Sequence, residues 1–128
     1  MPKEIIVIDD EKIVCNMCQR VLEAEGYQVE AFTDSVLALE RIKEKRFDIV
    51  VTDLKMEKVS GMDILREVNE RYPETKVIML TAYATLDAAI EAIREKIFDF
   101  FPKPVKIDDL KNSIKKALEG ANEGGGQG

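Results

Sequence analysis

The stretch FDIVVTDLKM, residues 47–56, places an unbroken β-branched run, Ile49-Val50-Val51, two positions before a carboxylate at Asp53. A short apolar run without polar alternation reads as a strand buried on both faces, as in a parallel sheet covered by helices. A charge at the end of such a strand is costly unless something pairs with it. The fold and the purpose of Asp53 are therefore one question.

Working outward, EIIVI (4–8) and KVIML (76–80) are apolar runs of the same kind, YQVEAF (27–32) alternates, and FDFF (98–101) is a short fifth candidate strand. Between them, apolar residues recur at helical spacing. The candidate helices cover 12–25, ended by Gly26; Asp34, as N-cap, to about Lys45; Met62 to Arg71, stopped by Pro73; 85–96, capped by Thr85; and 106–119, with Asp108 near its start and Gly120 just past its end. Five strand–helix alternations predict an α/β fold, a flavodoxin-like (βα)5 doubly wound parallel sheet in strand order 2-1-3-4-5. Residues 1–120 make one domain, and ANEGGGQG (121–128) reads as a flexible tail or linker stub.

The 128 residues carry 25 acidic against 19 basic side chains, a net charge of −6, with no basic stripe to meet a phosphate backbone. Direct nucleic-acid binding is not expected. The N-terminal apolar run is too short for a signal peptide or a bilayer span, so a cytoplasmic protein without membrane attachment is expected. Histidine is absent, which removes His-based triads and phosphohistidine chemistry within this chain. Cys15 and Cys18 form a C-x-x-C, but inside an amphipathic helix and without the second pair a zinc site needs. They read as core and rim residues.

Ligands of open α/β sheets sit outside the carboxyl ends of the strands. That edge receives Asp9 and Asp10 after strand 1, Asp53 after strand 3, Thr81 after strand 4 and Lys103 after strand 5. In the order 2-1-3-4-5 the three carboxylates converge. Their repulsion calls for Lys103 and a hard divalent cation, for which Mg2+ suits an oxygen site that keeps water.

By the motifs IVIDDE, DIVVTDLKM, SGMDIL, VIMLTAYA and FPKP, the chain over about residues 4–119 resembles the receiver domains of two-component response regulators. TAYATLDAAIEAI is similar to receivers of the NtrC type, which control σ54-dependent transcription activators. The resemblance implies that Asp53 is the phosphoacceptor, taking a phosphoryl group from a phosphohistidine of a sensor histidine kinase. It implies Mg2+ held by Asp10 directly, Asp9 largely through water, Asp53, and the backbone carbonyl of Lys55. Thr81 and Lys103 would contact phosphoryl oxygens, and Lys103-Pro104 would be cis. Thr81 and Phe100 would form the switch, and Lys55 and Tyr83 match positions that tune attack by water. Partners would include a second copy, through the helix 4–strand 5–helix 5 face, and a downstream effector domain. The domain would be a signalling phosphoacceptor that assists its own phosphorylation and dephosphorylation, not an enzyme.

Two positions depart from the family pattern. Glu57 stands where Pro is usual, adding charge and freeing the loop backbone. Lys96-Ile97 replaces Gly-Ala, so helix 4 is expected to close differently, because a left-handed backbone disfavours Lys. An alternative is a phosphorylation-independent docking module on the same fold. Flavin binding and haloacid-dehalogenase-type phosphatase chemistry fit poorly: DDEK would repel a flavin phosphate, and Glu11 breaks the Asp-x-Asp the phosphatase needs.

Overall fold

The computed structural model describes the backbone of residues 2–123, with side chains to Glu119. Five strands alternate with five helices: β1 Glu4–Ile8, α1 Lys12–Ala24, β2 Gln28–Phe32, α2 Ser35–Glu44, β3 Ile49–Thr52, α3 Gly61–Arg71, β4 Lys76–Thr81, α4 Leu86–Arg94, β5 Asp99–Pro102 and α5 Ile107–Glu123. All strand pairs are parallel, in the order β2-β1-β3-β4-β5. The predicted architecture and order hold.

Strand alternation divides the core into two layers. Ile5, Val7, Ile49, Val51, Ile78 and Leu80 face Cys18, Leu22, Leu110 and Ile114 from α1 and α5. Ile6, Ile8, Val50, Val77 and Met79 face Ala38, Ile42, Ile64, Leu65, Val68 and Ala92 from α2, α3 and α4. With both faces covered, the central strands β1 and β3 have no solvent side, which is why they lack polar alternation.

The expected caps are present. The Asp34 side chain accepts from Val36 N at 2.9 Å and Leu37 N at 3.2 Å, and Thr85 accepts from Ala88 N at 3.1 Å. Ser60 and Asp63 form a reciprocal capping box at α3. After α1 the chain turns at Gly26, whose φ of +94° is open to glycine.

Two expectations need correction. The backbone of α5 runs past Gly120 to Glu123, so that glycine does not end the helix; the rest of the proposed tail, 124–128, lies outside the described residues. At the end of α4, Lys96 adopts the left-handed conformation, φ +66°. Lys96 N donates to Ile93 O and Ile97 N to Ala92 O, both at 3.0 Å, the double closure usually made by glycine. The helix thus closes in the ordinary way. Ile97 packs against the α2–α4 core layer, which offsets the roughly 1–2 kcal/mol a left-handed side-chain-bearing residue costs.

Candidate functional site

Register brings the acids together. Ile8 of β1 pairs with Thr52 of β3, so the next residues, Asp9 and Asp53, leave adjacent strands side by side. Asp53 N donates to Ile8 O at 2.9 Å and Asp9 N to Phe32 O at 3.1 Å, extending the ladders to the carboxylates. Asp9 and Asp53 are buried, at 2% and 6% exposure, and Asp10 is exposed. Carboxylate oxygens of Asp9, Asp10 and Asp53 lie within 4.8 Å of one another.

Lys103 reaches into this group from the end of β5. Its Nζ lies 2.7 Å from Asp9 Oδ2, 2.9 Å from Glu11 Oε1 and 3.2 Å from Asp53 Oδ2. Three ammonium protons thus meet three carboxylates. Lys103 N donates to Thr81 O at 2.9 Å, and the Lys103-Pro104 peptide is cis, as expected. Burial pushes the Asp9 carboxyl above its ordinary range, opposed by hydrogen bonds from Lys103 and from Glu11 N at 2.9 Å. Burial alone would lower Lys103, but Asp9, Glu11 and Asp53 outweigh it and hold the ammonium above its ordinary value. The remaining oxygen of Asp53, Oδ1, accepts from Leu54 N at 2.7 Å.

The other candidates sit around this centre. Thr81 is fully buried, and its Oγ1 accepts from Tyr83 N at 3.0 Å, tying the β4–α4 loop to the strand end. Lys55 Nζ stands 4.7 Å over the Tyr83 ring, a cation–π contact. A cavity of about 300 Å3 is lined by Asp10, Glu11, Asp53, Lys55, Tyr83 and Lys103, with Ala82. Phe100 is not in it: half-buried, it packs on the α2–α4 layer. The fit to a hard cation rests on the donor set, carboxylate oxygens from Asp9, Asp10 and Asp53 around an acidic pocket that one lysine only partly neutralises.

Sequence reasoning left Glu11 without a role here, although it is the third consecutive acid after β1. It also took the loop around Glu57 to be free. Instead Glu57 O accepts from Ser35 Oγ and from Val59 N, each at 2.8 Å. Gly61 binds the other end of that loop, because a Cβ there would stand 2.2 Å from Asp53 O. Cys15, expected at the rim, is buried, and its Sγ donates to Asp9 O at 3.2 Å. Both thiols are free; burial raises Cys15 and pushes Cys18 up to about 12, so they behave as core residues.

Comparisons with known proteins bear on the family and the fold. The family model for the response regulator receiver domain matches residues 5–115. The chain is 34% identical over 115 residues to the transcriptional regulatory protein ZraR of Klebsiella oxytoca, covering 90% of this chain and 26% of that protein. It therefore spans about a quarter of the length of such curated relatives. A receiver domain protein from Clostridium thermocellum superposes with a TM-score of 0.85 at 39% identity, covering 91% of this chain and 94% of that one. The beryllofluoride-activated NtrC4 receiver domain dimer matches with a TM-score of 0.86 at 29% identity, covering 92% and 98%.

Proposed function

The chain belongs to the response regulator receiver domain family, and from that premise we propose that it is a phosphoacceptor switch whose acceptor is Asp53. One observation carries the choice: of the two buried carboxylates, Asp53 lines the cavity and Asp9 does not. Asp9 Oδ1 accepts from Glu11 N and its Oδ2 pairs with Lys103, which suits a supporting role.

An Asp53 carboxylate oxygen attacks the phosphorus of a phosphohistidine on a sensor kinase. The new P–O bond forms as the P–N bond breaks, and the imidazole leaves with the electron pair. The product is an acyl phosphate, and little covalent help is needed beyond positioning and charge neutralisation. Asp10, Asp9, Asp53 and the Lys55 carbonyl would hold Mg2+, which when bound supplies charge stabilisation for the transferred group. Lys103 adds a fixed positive charge, and Thr81 a hydroxyl. The domain is a signalling phosphoacceptor rather than a turnover enzyme.

Readout would begin at Thr81. Its hydroxyl oxygen now accepts from Tyr83 N; turning toward a phosphoryl oxygen releases that amide and loosens the path to α4. Phe100 moves inward as Thr81 leaves, a shift between two populations. The exposed Leu86, Ile90 and Ile93 of α4 support a phosphorylation-dependent homodimer through the α4–β5–α5 face. The named relatives support coupling to an effector that regulates transcription. Among the described residues no helix is long and apolar enough to cross a membrane, which goes with action in the cytoplasm.

Acetyl phosphate with Mg2+ should add one phosphoryl group by intact mass. Asp53→Asn should remove that addition, and labelling that persists in the variant would reject Asp53 as acceptor.

A further inference from the structure

The loop between β3 and α3 begins at the proposed acceptor and contains Lys55. It includes Lys58 in the left-handed conformation, φ +73°, which persists only where surrounding contacts impose it. Its exit is fixed by the Ser60–Asp63 capping box and by Gly61 against the Asp53 backbone. Its middle is fixed from another element. Ser35, the first residue of α2, is only 5% exposed and donates Oγ–H to Glu57 O at 2.8 Å, across a separation of 22 residues. Beside this bond lies a polar cavity of about 440 Å3, lined by Asp10, Asp34, Ser35, Glu57 and Lys58 among others. Leu54, Met56 and Val59 pack against the core layer that includes Ala38 and Ile42 of α2, and the Ser35 bond adds the directional contact that fixes the Glu57 carbonyl.

We propose that Ser35 is a positioning residue for the cation site: its bond to the Glu57 carbonyl sets the course of residues 54–57 and so places the Lys55 carbonyl at the carboxylate edge. The inference rests on the Mg2+ reading given above. Asp53 sits on a strand end and needs no such help, whereas Lys55 lies two residues out on a segment with no strand or helix of its own. A buried hydroxyl donating to a backbone carbonyl is a directional restraint. Without it the Glu57 carbonyl would turn to water, and the backbone on either side would relax with it.

The experiment uses the whole chain with Mg2+ alone as probe, followed by backbone amide NMR. In Ser35→Ala, Mg2+ binding should weaken by about three- to tenfold, the worth of one buried hydrogen bond spent on positioning. In the metal-free variant, amide hydrogen exchange should rise across residues 54–59 while α2 remains protected. Unchanged Mg2+ affinity, or faster exchange in α2 instead of the loop, would overturn the proposal and leave Ser35 a helix residue only. Asp10→Asn separates the positioning role from the cation site itself. If it too leaves Mg2+ binding intact, the cation site itself is wrongly assigned; if it weakens binding and Ser35→Ala does not, only the positioning role falls.

Discussion

The carboxylate edge and helix α4 lie a few residues apart in the fold but are held in opposite ways. Asp9, Asp53 and Thr81 emerge from β1, β3 and β4, whose residues are almost wholly buried, and Lys103, at the end of the half-buried β5, ties three carboxylates together. No buried side-chain polar atom among the described residues lacks a partner. In α4, by contrast, Ala92 is the one buried residue, while Leu86 and Ile93 are 75% and 68% exposed. Its last turn is fastened to α3 by polar contacts: Arg66 to Glu91 at 2.7 Å and Glu95 at 3.2 Å, and Asn69 to the Glu95 carbonyl. The difference teaches where chemistry and response can each be placed. The proposed chemistry sits at the ends of packed strands, and the part proposed to respond is held by contacts that exchange readily with water.

The largest effect should come from breaking the edge. Lys103→Met leaves buried carboxylates unpaired and should cost about 3–5 kcal/mol at pH 7 in metal-free protein, read from urea denaturation. The sign with pH follows from Asp9. A carboxyl raised above its ordinary 3.8 in the folded state contributes stability that is full below that value and is lost as pH rises through the folded value. The variant's deficit should therefore be smallest in acid and grow toward neutrality. A deficit independent of pH would mean that the carboxylates are not what Lys103 restrains.

Next come paired truncations. Leu65→Ala, on the buried face of α3, should cost about 2–5 kcal/mol. Leu86→Ala, on the exposed face of α4, should stay within about 0.5 kcal/mol. Equal losses would erase the contrast. The smallest effect sharpens it: Lys96→Gly relieves a left-handed lysine and should stabilise the protein by up to about 1 kcal/mol, measured as a rise in denaturation midpoint. A destabilised variant would mean that the lysine side chain, rather than the closure of α4, is what this position needs.

Much of the edge was legible because it depends on local pattern. Buried strands announce themselves as apolar runs, and in an α/β alternation the residue after each run lands on one edge; Asp9, Asp53, Thr81 and Lys103 follow. Glu11 was harder, since a third acid at a helix start resembles a solvated residue until Lys103 arrives from 92 positions away. Ser35–Glu57 and Arg66–Glu91 likewise depend on how α2, α3 and α4 are placed around the sheet, which periodicity within each segment does not specify. The left-handed Lys96 is not legible from its own backbone preference, because the packing of Ile97 and its hydrogen bond to Ala92 O outweigh that preference. Gly120 failed as a stop because a glycine inside a helix costs only about 1 kcal/mol.

The central claim is that the edge holds still while α4 responds, and amide hydrogen exchange with and without beryllofluoride and Mg2+ tests it most directly. The account predicts that exchange changes in residues 82–96 and in β5, with β1 and β3 as protected as before. Changes spread through β1 and β3, or none in α4 once beryllofluoride is bound, would contradict it.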